Sequence, residues 1–280
     1  MNLPLISCDV IDVSHTALGD DILYPFAFDE VTCRLMEKKK HTPILHIWRH
    51  QKAFVMGLRD RRLPNASEAI EWLESQGYKV TVRNSGGAAV PLDPGVVNIS
   101  WILPNQEGRM DFRYDFEMMY SLIRESLIRY SDKVEKGEIQ GSYCPGDYDL
   151  SIRGKKFCGI AQRRQTKAFV VQAFINVEDK EEVRGNLVKR FYDIASGGFS
   201  SLDYPVVHPD RMGSLQELVG LSDSAVFVDL LKDYLCKMGE LRVHDKYPNV
   251  YQNDIIKTME ELRSRYVTRR GKEISRSIES

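Results

Sequence analysis

Hydrophobic positions along the chain switch repeatedly between helical spacing and strict alternation, and those switches mark its elements. Phe28, Val31, Leu35 and Met36 recur at helical spacing between Pro25 and Lys38, with Pro25 suited to a first turn. Strands are expected at His46–Trp48 and Ala53–Leu58, around a short turn. A helix follows over Asn65–Gln76, capped at Asn65 and stopped at Gly77. Strands at Tyr78–Arg83 and Val96–Leu103 enclose a glycine-rich loop. The long amphipathic helix Phe112–Tyr130 carries Phe116, Met119, Leu122, Ile123 and Leu127. Next, Tyr148, Leu150 and Ile152 alternate with Asp149, Ser151 and Arg153. Gly154-Lys155 turns the chain and Lys156–Ile160 returns it, a tight β-hairpin. Downstream come a strand at Ala168–Val177 and helices at Glu181–Ile194, Ser214–Val219, Ala225–Met238 and Tyr251–Tyr266. Strands and helices interleave without a strict βαβ period. This predicts an α+β fold, with mixed or antiparallel sheets flanked by helices.

Composition narrows the function. With 39 Lys+Arg against 40 Asp+Glu the net charge is -1, so no global field draws the chain to nucleic acid or to a membrane surface. No run of 18 apolar residues is present and the first residues lack a basic n-region, so neither a membrane span nor secretion is expected. Five cysteines, an odd number without repeated spacing, argue against a disulfide framework or a zinc site, and a cytoplasmic protein with reduced thiols is expected. His46 and His50 are four residues apart in a strand-and-turn segment, not a helix, so no metal pair is expected there. The cation-rich stretch Arg263–Arg276 reads first as a solvated helix face, with contact to an acidic protein partner as the sharper alternative.

The chemistry centres on Cys144. It lies on a Pro145-Gly146 turn among polar residues, not in an apolar run, and cations follow a few positions later. A thiolate is the attacking species of a nucleophilic cysteine, and nearby positive charge favours it. Cys158, in KKFCGI on the return strand, is instead expected in the core. The loop Arg83-Asn84-Ser85-Gly86-Gly87-Ala88-Ala89-Val90-Pro91-Leu92-Asp93 has neither Walker nor Rossmann spacing. On its own it is either a backbone cradle for a ligand or a sharp turn.

The order of these motifs resembles the catalytic domain shared by biotin ligases, lipoate ligases and octanoyltransferases. Of the lipoate-ligase pattern Arg-Arg-x-x-Gly-Gly-Gly-x-Val-x-His-Asp, the chain matches Arg83, Gly86, Gly87, Val90 and Asp93 and departs at Val82, Ala88 and Leu92. The second signature, Gly-Arg-Lys-Ile-x-Gly, is met by Gly154, Lys155, Lys156, Phe157 and Gly159, which puts Lys156 at the position of the family's essential lysine. From about residue 24 to 210 the chain looks most like octanoyl amidotransferases of Gram-positive bacteria that act on octanoylated glycine cleavage H protein.

That resemblance implies a thioester-forming Cys144 and a Lys156 that lowers its pKa and moves protons. It also implies substrate contacts from Arg83, Ser85, Gly86, Gly87, Asp93 and Gly159, and lipoyl domains of E2 subunits as acceptors. Neither cofactor nor metal is expected. A catalytic domain over residues 1–245, with its core at about 40–240, and a helical tail over 246–280 are expected too. Three alternatives stay open at this point: an octanoyltransferase fed by acyl carrier protein, an ATP-dependent lipoate ligase, and a catalytically silent module that binds lipoyl domains. Hairpin register alone does not bring Lys156 beside Cys144; the loop before it must fold back.

Overall fold

The computed structural model describes residues 7–18, 21–36, 42–105, 112–199 and 202–267. In chain order the elements are β1 (Ser7–Asp12), α1 (Tyr24–Leu35), β2 (Ile44–Trp48), β3 (Ala53–Met56), α2 (Ala66–Ser75), β4 (Lys79–Val82), β5 (Val90–Leu92), β6 (Val96–Pro104) and α3 (Phe112–Ser126). There follow β7 (Glu135–Lys136), β8 (Leu150–Ile152), β9 (Lys155–Arg164), β10 (Ala168–Asn176), α4 (Glu181–Ala195), α5 (Leu215–Val219), α6 (Ser224–Met238), β11 (Glu240–His244) and α7 (Gln252–Val267).

Two mixed sheets result, as the α+β reading expects. The larger runs β11-β1-β2-β6-β10-β9-β8-β7 and the smaller β4-β3-β5. In the large sheet β1 pairs in parallel with β2 and β11, and β6, β10, β9 and β8 are antiparallel. In the small sheet α2 supplies the crossover that parallel β3 and β4 require. The strands expected around one short turn, β2 and β3, are therefore not partners; each joins a different sheet.

Alternation along β6 shows how the layers divide. Val97, Ile99 and Trp101 pack with Met119, Leu122 and Ile123 of α3 and with Phe227 and Leu231 of α6. Val96 faces a second core with the small sheet, α1, α4 and α7, while Asn98 on the same strand lines a cavity. Burying helices on both faces of the sheet in this way removes the apolar stripe of each from water, and that is the main favourable term in folding.

Several element ends differ from expectation. The α3 helix closes at Ser126, because Ile128 and Tyr130 donate to carbonyls three residues back and tighten the last turn. Asn65 precedes α2 without a side-chain capping bond. The hairpin turns at Arg153-Gly154, both with positive φ (55 and 71), the primed geometry that suits two-residue hairpins. In α7, Ile255, Met259 and Leu262 are buried against the core that holds α1. Arg263 pairs with Asp21, and Arg269, Arg270, Lys272 and Arg276 lie outside the described residues. Among the described residues no helix is long and apolar enough to cross a membrane.

Candidate active site

Lys156 is the second residue of β9, the return strand of the hairpin, and is fully buried. Its ammonium donates to the carbonyl oxygens of Tyr143 (2.9 Å) and Cys144 (2.6 Å) and pairs with Asp149 Oδ1 (2.8 Å). Burial raises the Asp149 carboxyl above the usual range, and Lys156 opposes that shift. The other Asp149 oxygen accepts from the Ile139 N–H (3.3 Å) and the Ser142 hydroxyl (3.5 Å). The loop thus folds back over the hairpin, pinned by one buried ion pair. Cys144 is held at φ 48, a left-handed conformation that a non-glycine residue keeps only where its surroundings enforce it.

The expectation that Lys156 acts at the sulfur is not what the contacts display. Its nitrogen is occupied by loop carbonyls, and the cation touching Cys144 Sγ is Arg83, whose Nη2 donates at 3.2 Å. The Ala88 N–H donates to the same sulfur at 3.3 Å. Arg83 also donates to the carbonyls of Gly86 (3.0 Å) and Ala88 (2.7 Å), so it shapes the glycine loop that it shares with the thiol. Bidentate Arg163 to Glu30, with Asn84 donating to the same carboxylate, ties the start of that loop to α1. Cys158, as expected, is buried in the core, where desolvation pushes its thiol well above the ordinary range and leaves it inert.

Cys144, Arg83, Ser85, Gly86, Gly87 and Gly159 all line one cavity of about 470 Å³. It lies between the two sheets, and its walls are largely apolar: Phe26, Trp48, Leu92, Phe116 and Phe174 among them. The Ser85 hydroxyl is buried at its edge with no hydrogen-bond partner among the described residues. A Cβ on Gly159 would sit 2.5 Å from the Phe174 ring, so only glycine lets that ring lie flat against β9.

Asp93 is the exception among the expected substrate contacts. It does not line the cavity: Arg184 grips both of its oxygens (2.5 and 2.7 Å). Arg184 also holds buried Glu181, which accepts from the Tyr143 hydroxyl at 2.6 Å. Asp93 therefore serves to anchor the end of β5 to α4 and, through Glu181, to the cysteine loop. Burial drives the Glu181 carboxyl up to about 7.

The sequence reading left the cavity walls unassigned. Trp48, Asn98 and Phe174 sit in the expected strands over His46–Trp48, Val96–Leu103 and Ala168–Val177. A polar Asn98 and Gln172 at inward positions of apolar strands were the available signal. His46 and His50 are buried separately: His46 lies between Asp29 (2.8 Å) and the Tyr247 hydroxyl (3.0 Å), and His50 faces the Leu18 carbonyl (3.3 Å).

Comparison with known proteins fits this geometry. Residues 21–237 match the lipoyl protein ligase A/B catalytic domain. An octanoyl-[GcvH]:protein N-octanoyltransferase of Geobacillus kaustophilus is 42% identical over 235 residues, 83% of each chain. A lipoyl-[GcvH]:protein N-lipoyltransferase of Listeria monocytogenes is 40% identical over 201 residues, covering 71% of this chain and 72% of that one. Among solved structures, a lipoate-protein ligase A bound with ATP superposes with a TM-score of 0.69 at 18% identity, over 94% of this chain and 96% of that one. At that identity the superposition speaks for the fold alone. The family match and the two close relatives go further: the chain belongs to the lipoyl protein ligase A/B catalytic domain family.

Proposed function

We propose that the protein is an N-octanoyltransferase. It takes an octanoyl group from the lysine of octanoylated glycine cleavage H protein, carries it as a thioester on Cys144, and delivers it to lysines of E2 lipoyl domains. One observation carries the reading: the Cys144 sulfur opens on a mostly apolar cavity while Arg83 and the Ala88 N–H donate to it. A sulfur that accepts from a cation and a backbone N–H, beside a slot for an alkyl chain, is what acyl transfer through cysteine requires. The printed activities of the relatives point the same way.

Donor and product are both octanoyl amides of a protein lysine, so the exchange is close to thermoneutral and needs no ATP. The Cys144 thiolate attacks the donor amide carbonyl. The C–N bond breaks, the thiol's proton ends on the departing lysine amine, and a thioester remains. The acceptor amine then attacks the thioester, Cys144 leaves, and the proton shed by the amine returns to the sulfur, dividing one hard step into two.

The climb from amide to thioester is the costly part, because charge builds on the carbonyl oxygen. The Ala88 N–H of the glycine loop and the Arg83 guanidinium stand next to the sulfur, which is two bonds from that oxygen in the tetrahedral adduct. A single such donor is worth about 3 kcal/mol. Lys156 contributes by fixing the loop and keeping positive charge behind it. The free thiol that the cycle needs fits a reducing compartment, the cytoplasm.

A second reading, lipoyl in place of octanoyl as the cargo, draws on the lipoyltransferase of L. monocytogenes at 40% identity. Intact mass spectrometry after incubation with octanoyl- and lipoyl-H protein in equal amounts decides between them. The octanoyl adduct should dominate, be labile to hydroxylamine, and vanish in Cys144→Ala. Transfer surviving in Cys144→Ala overturns the covalent mechanism.

A further inference from the structure

Behind the glycine loop, outside the cavity, two buried side chains connect three separate elements. Asp60 follows β3 and Tyr192 lies in α4; they are 3% and 2% exposed. The Tyr192 hydroxyl donates to Asp60 Oδ1 (2.9 Å) and accepts from the Ala89 N–H (3.2 Å). Asp60 Oδ2 accepts from the Gly57 N–H (2.7 Å). These bonds join the end of β3 to the start of β5. Backbones meet there: a Cβ on Gly57 would stand 2.0 Å from the Gly87 carbonyl oxygen. The strap thereby fixes the height of the Gly87–Ala88 segment, whose Ala88 N–H reaches the Cys144 sulfur.

We propose that Asp60 and Tyr192 are positioning residues for thioester formation, holding the glycine loop so that the Ala88 N–H faces the Cys144 sulfur and the developing oxyanion beside it. This rests on the reading of Cys144 as the acyl carrier. A buried carboxylate with only neutral donors bonded to it is costly to keep, and burial raises the Asp60 carboxyl. Packing alone gives no reason to retain it; holding two loop segments in register does.

The test is Tyr192→Phe in the full chain, which removes one oxygen and leaves the Ala89 N–H and Asp60 without that partner. Cys144 alkylation by iodoacetamide at pH 7 should then slow on the order of tenfold. Single-turnover octanoylation from octanoyl-H protein should slow by a similar factor, with KM for the lipoyl-domain acceptor unchanged. Asp60→Asn should act in the same direction. Tyr204→Phe, whose ring stacks on Tyr192, should be alkylated at the wild-type rate. If the folded Tyr192→Phe and Asp60→Asn proteins both keep the wild-type alkylation and octanoylation rates, the proposal is overturned. If instead Cys144→Ala still transfers octanoyl groups, the reading beneath it fails, whatever the strap variants do.

Discussion

Replacing Lys156 by Met keeps the buried stem but deletes the ammonium, and its cost can be bounded in two ways. Three contacts go, to the carbonyls of Tyr143 and Cys144 and to Asp149, all buried. Removing one partner of a buried ion pair typically costs 3–5 kcal/mol, because the other charge is left uncompensated. Independently, Asp149 escapes that state by taking a proton. Protonating a carboxyl of ordinary pKa at pH 7 costs about 4 kcal/mol, three units at 1.36 each. Both routes give about 4 kcal/mol, or roughly 8–16 °C in Tm. Protonation becomes easier as pH falls, so the deficit should shrink toward pH 4. Adding Asp149→Asn removes the stranded charge and should restore a good part of the loss, visible as a coupling term in a double-mutant cycle followed by thermal unfolding. Octanoylation of Cys144 should stay slow in the double variant, since its loop is no longer pinned. A Lys156→Met protein that melts within 2 °C of wild type (about 1 kcal/mol or less) yet cannot transfer would refute this; the lysine would then act on substrate, not on the loop.

Other outcomes follow from individual contacts. Arg83→Met removes the cation that donates to the sulfur and should slow formation of the octanoyl-enzyme on the order of tenfold in mass spectra; a wild-type rate would contradict it. Gly57→Ala drives a methyl group into the Gly87 carbonyl and should abolish octanoyl-enzyme formation in mass spectra while the chain still folds. Burial lowers the His50 pKa from 6.5 to about 4, so the folded state holds it neutral. Its stabilising effect is complete above pH 6.5 and is lost as pH falls toward 4, about 3 kcal/mol in all. Melting curves should drop over that window, and His50→Gln should flatten the drop.

Local pattern was enough for most elements and not for their partners. The α3 stripe, the β10 run and the α7 face each lie in a single stretch of sequence and are buried as their spacing implies. The β1 strand went unread although Cys8 and Val10 alternate with Ser7 and Asp9. Its neighbour β11, paired from Ser7↔Glu240 to Ile11↔His244, is more than 200 residues away and mostly exposed. The β5 strand is three residues with a proline at its centre, a residue that argues against a strand. Pro91 is tolerated because β5 is the edge of the small sheet, where a missing N–H costs no ladder bond on the open side.

The site was legible as residue types and not as geometry, and the reason is where it lies. Cys144 comes from the loop entering the large sheet, while Arg83 and Ala88 come from the small one. They meet across a gap that no pattern within either segment encodes. The family pattern assigns the activating cation to Lys156, twelve residues on. Folding assigns it to Arg83, sixty-one residues back. Lys156 is spent on backbone carbonyls, since a fully buried ammonium must satisfy its donors and neutralise its charge at once. The two cations thus divide the work: Lys156 holds the loop that carries the thiol, and Arg83 donates to the sulfur itself. Substituting each should therefore leave different signatures, a melting-temperature loss for Lys156 and a slowed acylation of Cys144 for Arg83.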